Sequence, residues 1–181
     1  RRRRSSGSSS SSSRDLLPWH VQIQLLADIS SAIFFLHSRT PPIIHRDIKS
    51  QNILLDRYGT AKLCDMGLSR SKMMTMTMTK VGTPQWCAPE VLRDEAYSER
   101  CDVYSFAVVC WEVVSRQKPF ARMNPLHVIT AVAYENVRLP IPQSTPPKLA
   151  KLIEQCWHTD PQRRPTMADV RRRLVLVAAP T

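Results

Sequence analysis

Residues 43–56 read Ile43-Ile44-His45-Arg46-Asp47-Ile48-Lys49-Ser50-Gln51-Asn52-Ile53-Leu54-Leu55-Asp56, and a second short run, Leu63-Cys64-Asp65-Met66-Gly67, follows. A lone carboxylate in a polar loop is usually only solvated. Here a carboxylate, Asp47, and a carboxamide, Asn52, share one loop, and the apolar residues Ile53 to Leu55 follow at once. The turn residues Arg57-Tyr58-Gly59 come next, and then a second apolar strand from Ala61 to Cys64. A hairpin brings its two ends together. The pattern therefore predicts Asn52 and Asp65 side by side, with Asp47 close to both. Oxygen ligands of this kind suit a hard cation such as Mg²⁺. A carboxylate left over can accept a proton from a hydroxyl.

His45-Arg46-Asp47-Ile48-Lys49-Ser50-Gln51-Asn52 resembles the protein-kinase catalytic loop, H-R-D-x-x-x-x-N. Asp65-Met66-Gly67 resembles D-F-G with Met in place of Phe, and Ala88-Pro89-Glu90 matches A-P-E. The three motifs agree in order and spacing. The resemblance runs from Asp15 to the C-terminus and is to the large, C-terminal lobe only. The fold it implies is mainly α, α+β overall: a helical bundle around a buried central helix, with short β-hairpins at the catalytic loop.

The activity it implies is transfer of the γ-phosphoryl of ATP to a protein Ser or Thr hydroxyl. By the resemblance, Asp47 takes the hydroxyl proton and Lys49 steadies the transferring phosphate. Asn52 and Asp65 hold Mg²⁺, or Mn²⁺ in its place, and these two with Lys49 bind the nucleotide. His45 packs against Met66, beside Gly67. Arg46 pairs with a phosphorylated residue of the activation segment, a charge-assisted bond that orders the segment. Thr79 is the first candidate for that residue, by its distance from Thr83, and Thr77, Thr75 and Ser71 follow. Gly82-Thr83-Pro84-Gln85-Trp86-Cys87-Ala88-Pro89-Glu90 resembles the end of the segment in the tyrosine-kinase-like group, most of whose members phosphorylate Ser and Thr. Lys49 points the same way, and Thr83 is expected to hydrogen-bond near Asp47 and Lys49. Asp102 matches the residue whose carboxylate holds the catalytic-loop backbone; read without the resemblance, it is a helix N-cap, and both roles can hold together. Arg164 is expected in a buried pair with Glu90.

Composition bounds the alternatives. The chain has 181 residues, enough for one domain with a sizeable core, and 43% of them are apolar. Net charge is +11, and five of those charges are Arg1 to Arg4 and Arg14. The remainder is modest, and no base-stacking module accompanies it, so solvated basic groups are favoured over a nucleic-acid surface. The five cysteines show no C-x-x-C pair, which reads as reduced thiols, not a disulfide or zinc framework. No apolar run predicts a membrane span, and the N-terminus lacks the hydrophobic region of a signal peptide. The expected location is cytoplasmic, with the nucleus as the alternative.

Along the chain, residues 1–14 form an Arg/Ser tract that cannot bury apolar surface and is expected to be disordered. Residues 15–181 are expected to form the partial kinase domain. Trp19 to His37 carries an apolar stripe at helical spacing, with Pro18 in its first turn and Pro41-Pro42 as a stop. Met73 to Thr79 alternates apolar and hydroxyl residues, read as a loop that orders on phosphorylation. Asp102 to Arg116 is apolar nearly all round and so belongs in a core. Asn124-Pro125 is predicted to cap a helix over about 126–135. Leu149, Leu152, Ile153, Cys156 and Trp157 mark another helix, and Met167, Val170, Leu174 and Val177 a last one.

The four glycines form no G-x-G-x-x-G phosphate loop, and no Val-Ala-x-Lys strand occurs. The chain is therefore expected to lack the small lobe, to bind ATP weakly and to show little or no activity alone. The competing class is a non-catalytic kinase-like regulatory module. Retention of Asp47, Asn52 and Asp65 argues against it. A nucleic-acid binder acting through Arg1 to Arg4 is the third reading and requires strongly salt-dependent binding.

Overall fold

Ile23, Leu26, Ile29, Ile33 and Leu36 recur at helical spacing, and the first helix, α1 (Trp19–His37), buries that stripe. The structure is a computed structural model that describes residues 17–65 and 83–178. α1 begins one residue after Pro18, which is the N-cap itself and not part of the first turn; its carbonyl accepts from Val21 N at 3.0 Å and Gln22 N at 3.1 Å. α1 is long and apolar enough to cross a membrane by length and composition. The stripe packs against other helices and the hairpin, while Trp19 and Phe35 on the same helix stay exposed.

The hairpin pairs β1 (Ile53–Leu55) with β2 (Ala61–Leu63), antiparallel, in the register Ile53↔Leu63, Leu54↔Lys62 and Leu55↔Ala61. It is the two-stranded sheet among the described residues. Asp56 builds its turn: Oδ1 accepts from Tyr58 N at 2.9 Å and Thr60 N at 3.0 Å. Gly59 sits there at φ 80°, a conformation that costs glycine little and most residues more.

Four helices follow a short one, α2 (Pro89–Leu92). They are α3 (Arg100–Ser115), α4 (Pro125–Ala133), α5 (Pro147–Cys156) and α6 (Met167–Ala178). Every residue of α3 from Cys101 to Trp111 is buried. The helix expected to be apolar all round is thus the centre of the core, packed by α1, α5 and the 3₁₀ turn Pro84–Trp86. α6 lies along α1 and α5, and α4 covers α2 and the Pro84–Trp86 turn. Burying a side chain such as Phe106 or Val103 contributes roughly 1.5–3 kcal/mol each.

Local chemistry sets the helix ends. Asn124 Oδ1 accepts from His127 N at 2.9 Å, as a capping Asn should. α4 stops earlier than the sequence predicts, at Ala133, and Asn136 takes a left-handed φ of 55° shortly beyond. α6 opens with a reciprocal capping box: Asp169 N donates to Thr166 Oγ1 at 3.1 Å, and Thr166 N donates to Asp169 Oδ2 at 3.3 Å.

The Arg164–Glu90 pair is present and fully buried. Arg164 Nη1 and Nη2 reach Glu90 Oε1 and Oε2 at 2.7 Å each. The remaining N–H groups also have acceptors: Nε on His158 O at 2.8 Å, Nη1 on Arg100 O at 3.0 Å and Nη2 on Thr159 O at 3.3 Å. A guanidinium carries five donors, and each has a partner here. Removing one side of such a pair leaves a buried charge uncompensated. Glu90→Ala is expected to lower unfolding free energy by about 3–5 kcal/mol in urea titration. Arg164→Lys should also destabilise, despite keeping the charge, since an ammonium cannot reproduce the fork.

Candidate active site

The site is assembled from three pieces: the loop between α1 and β1, the residue after β2, and the turn before α2. The loop carries Asp47, Lys49 and Asn52. Its backbone is held from below by Asp102, on the first turn of α3. Asp102 Oδ2 accepts from His45 N at 2.8 Å and Oδ1 from Arg46 N at 2.9 Å. His37 Nε2, at the end of α1, meets Oδ2 at 2.9 Å. The N-cap reading of Asp102 is therefore corrected. The N-cap of α3 is Glu99, with no side-chain cap, and the Asp102 carboxylate serves the loop and the His37 ring at the end of α1. Arg46 is fixed at φ 71°, a strained value for a residue with a Cβ.

His45 is fully buried. Its Nδ1 accepts from Asp47 N at 3.4 Å, so the proton sits on Nε2, which donates to Cys64 O at 3.2 Å. One ring thus spans the loop and the strand end that precedes Asp65. The two ends meet again where Cys64 N donates to Asn52 O at 2.9 Å. Asp65 follows directly, exposed, at φ 61°. The expected hairpin is present, and it hydrogen-bonds Asn52 to Cys64, the residue before Asp65.

Around Asp47 the side chains converge. Asn52 Nδ2 donates to Asp47 Oδ2 at 2.8 Å and to Asp47 O at 2.7 Å. Lys49 Nζ lies 2.8 Å from Asp47 Oδ2 and donates to Thr83 Oγ1 at 3.1 Å. With its amide turned to Asp47, Asn52 offers its carboxamide oxygen elsewhere. That oxygen and the Asp65 carboxylate are hard donors, the type Mg²⁺ takes together with phosphate oxygens. Among the described residues no cluster of three or more His, Cys, Asp or Glu side chains forms a ready metal cage.

The neighbouring groups are kept chemically quiet. Burial pushes the Cys87 thiol up to about 12, with the Asp47 charge adding to it and Lys49 opposing. A thiol in that state is no nucleophile at neutral pH. Arg46 is different. Its guanidinium lies 5.4 Å from the Tyr97 ring, and its buried Nε has no hydrogen-bond partner among the described residues. Met66, Gly67 and Thr79 lie outside the described residues, as does the predicted contact between His45 and Met66.

Three participants were not singled out from the sequence: His37, and the pair Ser50 and Glu112. Ser50 Oγ donates to Glu112 Oε1 at 2.9 Å, and Trp86 Nε1 donates to Oε2 at 2.7 Å. The available signal was the isolated acid in the apolar stretch of α3.

Comparison with known proteins gives a consistent result. A family model described as protein tyrosine and serine/threonine kinase matches residues 9–174. The serine/threonine-protein kinase CTR1 of Arabidopsis thaliana is 43% identical over 173 residues, which is 93% of this chain and 21% of that protein. A putative serine/threonine-protein kinase/receptor, R826, of Acanthamoeba polyphaga mimivirus is 47% identical over 154 residues, 85% of this chain and 9% of that protein. The probable serine/threonine-protein kinase drkA of Dictyostelium discoideum is 43% identical over 158 residues, 87% of this chain and 25% of that protein. The chain spans a quarter or less of the length of these curated relatives.

The geometry around Asp102 gives a direct expectation. Asp102→Asn replaces one acceptor oxygen by a donor that faces the loop's own N–H groups. The variant should lose about 3 kcal/mol of unfolding free energy in urea titration, since bonds to a buried charge are the strong ones. A loss below about 1 kcal/mol would mean that the loop is held some other way.

Proposed function

The chain belongs to the protein tyrosine and serine/threonine kinase family, and we propose that it supplies the catalytic half of a protein serine/threonine kinase, corresponding to the large lobe over residues 15–181. The observation that carries this reading is the Lys49 ammonium placed between Asp47 Oδ2 at 2.8 Å and Thr83 Oγ1 at 3.1 Å. A base, a cation and the turn that faces an acceptor peptide are thereby within one hydrogen-bonded group.

In the proposed reaction a Ser or Thr hydroxyl of the substrate protein approaches Asp47. Asp47 orients it and takes its proton as the oxygen bonds to the γ-phosphorus of ATP; the bond to the ADP oxygen breaks. Such transfer depends on positioning and on neutralising charge more than on covalent help. Asn52 holds the Asp47 carboxylate in place, and Lys49 offsets charge on the transferring group. Asn52, through its carboxamide oxygen, and Asp65 would hold Mg²⁺, which when bound neutralises phosphate charge. Arg46, whose Nε has no hydrogen-bond partner among the described residues, would take a phosphate of the activation segment, with Thr79 the first candidate.

The Gly-rich strand and phosphate-gripping Lys used by such enzymes are not among these 181 residues. The proposal assigns them to sequence outside the chain, so the assay uses the full gene product. Phosphate transfer to a Ser/Thr peptide library is expected. Asp47→Asn should lower kcat by roughly 10²–10⁴, the usual contribution of a positioned base. Thr79→Ala should lower activity and remove one site of incorporated phosphate. Transfer that survives Asp47→Asn unchanged would refute the assignment of Asp47, and phosphate found only on Tyr would refute the Ser/Thr assignment.

A further inference from the structure

The last turn of α1, the loop after it and the starts of α3 and α6 enclose a cavity of about 220 Å³. Phe34, Pro42, Val103 and Met167 make its apolar walls. Phe34 is braced from α6: the Arg171 guanidinium lies 4.6 Å from its ring, and Arg171 Nε donates to Ser31 Oγ at 3.2 Å. Ser38 and Ala168, both exposed, mark the mouth. An apolar cavity of roughly 150 Å³ holds benzene, so there is room here for one ring with a substituent. Most polar groups of the wall are already engaged. Ser38 Oγ donates to Phe35 O at 2.9 Å, and Thr166 Oγ1 donates to Asp169 Oδ2 at 2.6 Å. Arg100 Nη1 donates to Arg164 O, and Arg100 Nε lies 3.4 Å from Glu99 Oε1. An anion drawn to Arg100 would therefore meet a carboxylate as well. His37 is the exception. Its Nε2 meets Asp102 Oδ2 at 2.9 Å, and a carboxylate only accepts, so Nε2 carries the hydrogen. Nδ1 is then the acceptor of the neutral ring. It has no hydrogen-bond partner among the described residues, and 8% of the side chain stays accessible.

We propose that this cavity is a binding site for a small neutral ligand of the phenol type, one aromatic ring whose O–H donates to His37 Nδ1. The ring packs between Phe34, Val103 and Met167, and the one open acceptor matches the one donor. Occupancy reaches the loop that carries Asp47 through two bonds. Asp102 Oδ2, which His37 meets, is the same oxygen that accepts from His45 N at 2.8 Å. A donor at Nδ1 polarises the imidazole and makes Nε2–H a stronger donor, as hydrogen bonds in a chain do. The site is separate from the one around Asp47 and is linked to it through His37 and Asp102.

The test is an NMR titration of the full gene product, ¹⁵N-labelled at histidine, with phenol and with toluene, which has the same ring and no donor. Phenol should bind saturably with a Kd of about 1 mM or tighter, and about tenfold more tightly than toluene, the difference one hydrogen bond makes. It should move the His37 ring nitrogens and the His45 amide. His20, at the far end of α1, and His127, on α4, should stay in place. At equal occupancy toluene should move the His45 amide less than phenol does. Ala168→Phe fills the mouth from an exposed position and should weaken both ligands about tenfold or more, with the His20 and His127 signals unchanged as the check on its fold. A phenol Kd above about 10 mM, equal affinity for phenol and toluene, or shifts spread evenly over all the histidines overturns the site. Undiminished binding of both in a folded Ala168→Phe overturns it too. Saturable phenol binding that leaves the His45 amide in place overturns the link to the loop.

Discussion

The interaction on which the site depends is the buried carboxylate of Asp102. It is fully buried, and it accepts from two consecutive backbone N–H groups while also meeting the His37 ring. A charge in that position is tolerable only because its oxygens are hydrogen-bonded. The requirement runs both ways. The loop must keep His45 N and Arg46 N aimed inward, and that holds Arg46 at a φ of 71°. The position of Asp102 is in turn set by α3, whose first eleven buried positions leave it nowhere to move. The chain of cause runs from an all-round apolar helix, to a fixed carboxylate, to a strained loop, and so to the placement of Asp47 and Asn52.

The same device recurs with different partners. Glu90 and Arg164 join the segment after the Pro84–Trp86 turn to the stretch before α6, and all five guanidinium donors find acceptors. Glu112 joins that turn to the loop that carries Asp47. Each of these acids ties together segments far apart in sequence. Hydrophobic packing is non-directional and cannot set hydrogen-bond geometry by itself. The apolar core supplies the free energy of folding, and the three acids convert it into a defined arrangement of loops.

Much of this was legible in the sequence, because the signals were local. α1 matches its predicted span because its apolar stripe is bounded by Pro18 at one end and Pro41-Pro42 beyond the other. The hairpin could be read from two apolar runs around a turn with Gly59. The bond between Asn52 and Cys64, the residue before Asp65, follows from that hairpin. Long-range partners were not legible from local pattern. Asp102 looks like a cap because caps lie at helix starts, yet its true partner, His45 N, is 57 residues away. The Arg164–Glu90 pair came only through the resemblance to kinases, since nothing in either local sequence announces the other. Glu112 carries no such local signal, because a single acid in an apolar helix looks like a tolerated exception until its two partners are seen.

The central claim is that Asp102 holds the loop that carries Asp47 in place before any ligand or partner arrives. Native-state hydrogen exchange at the His45 and Arg46 amides of the ligand-free chain tests it most directly. The account predicts protection close to that of the core amides of α3, with exchange only through global unfolding. Exchange at the rate of the exposed turn around Tyr58 would contradict it, because the loop would then be mobile and its geometry would have to come from something that binds it.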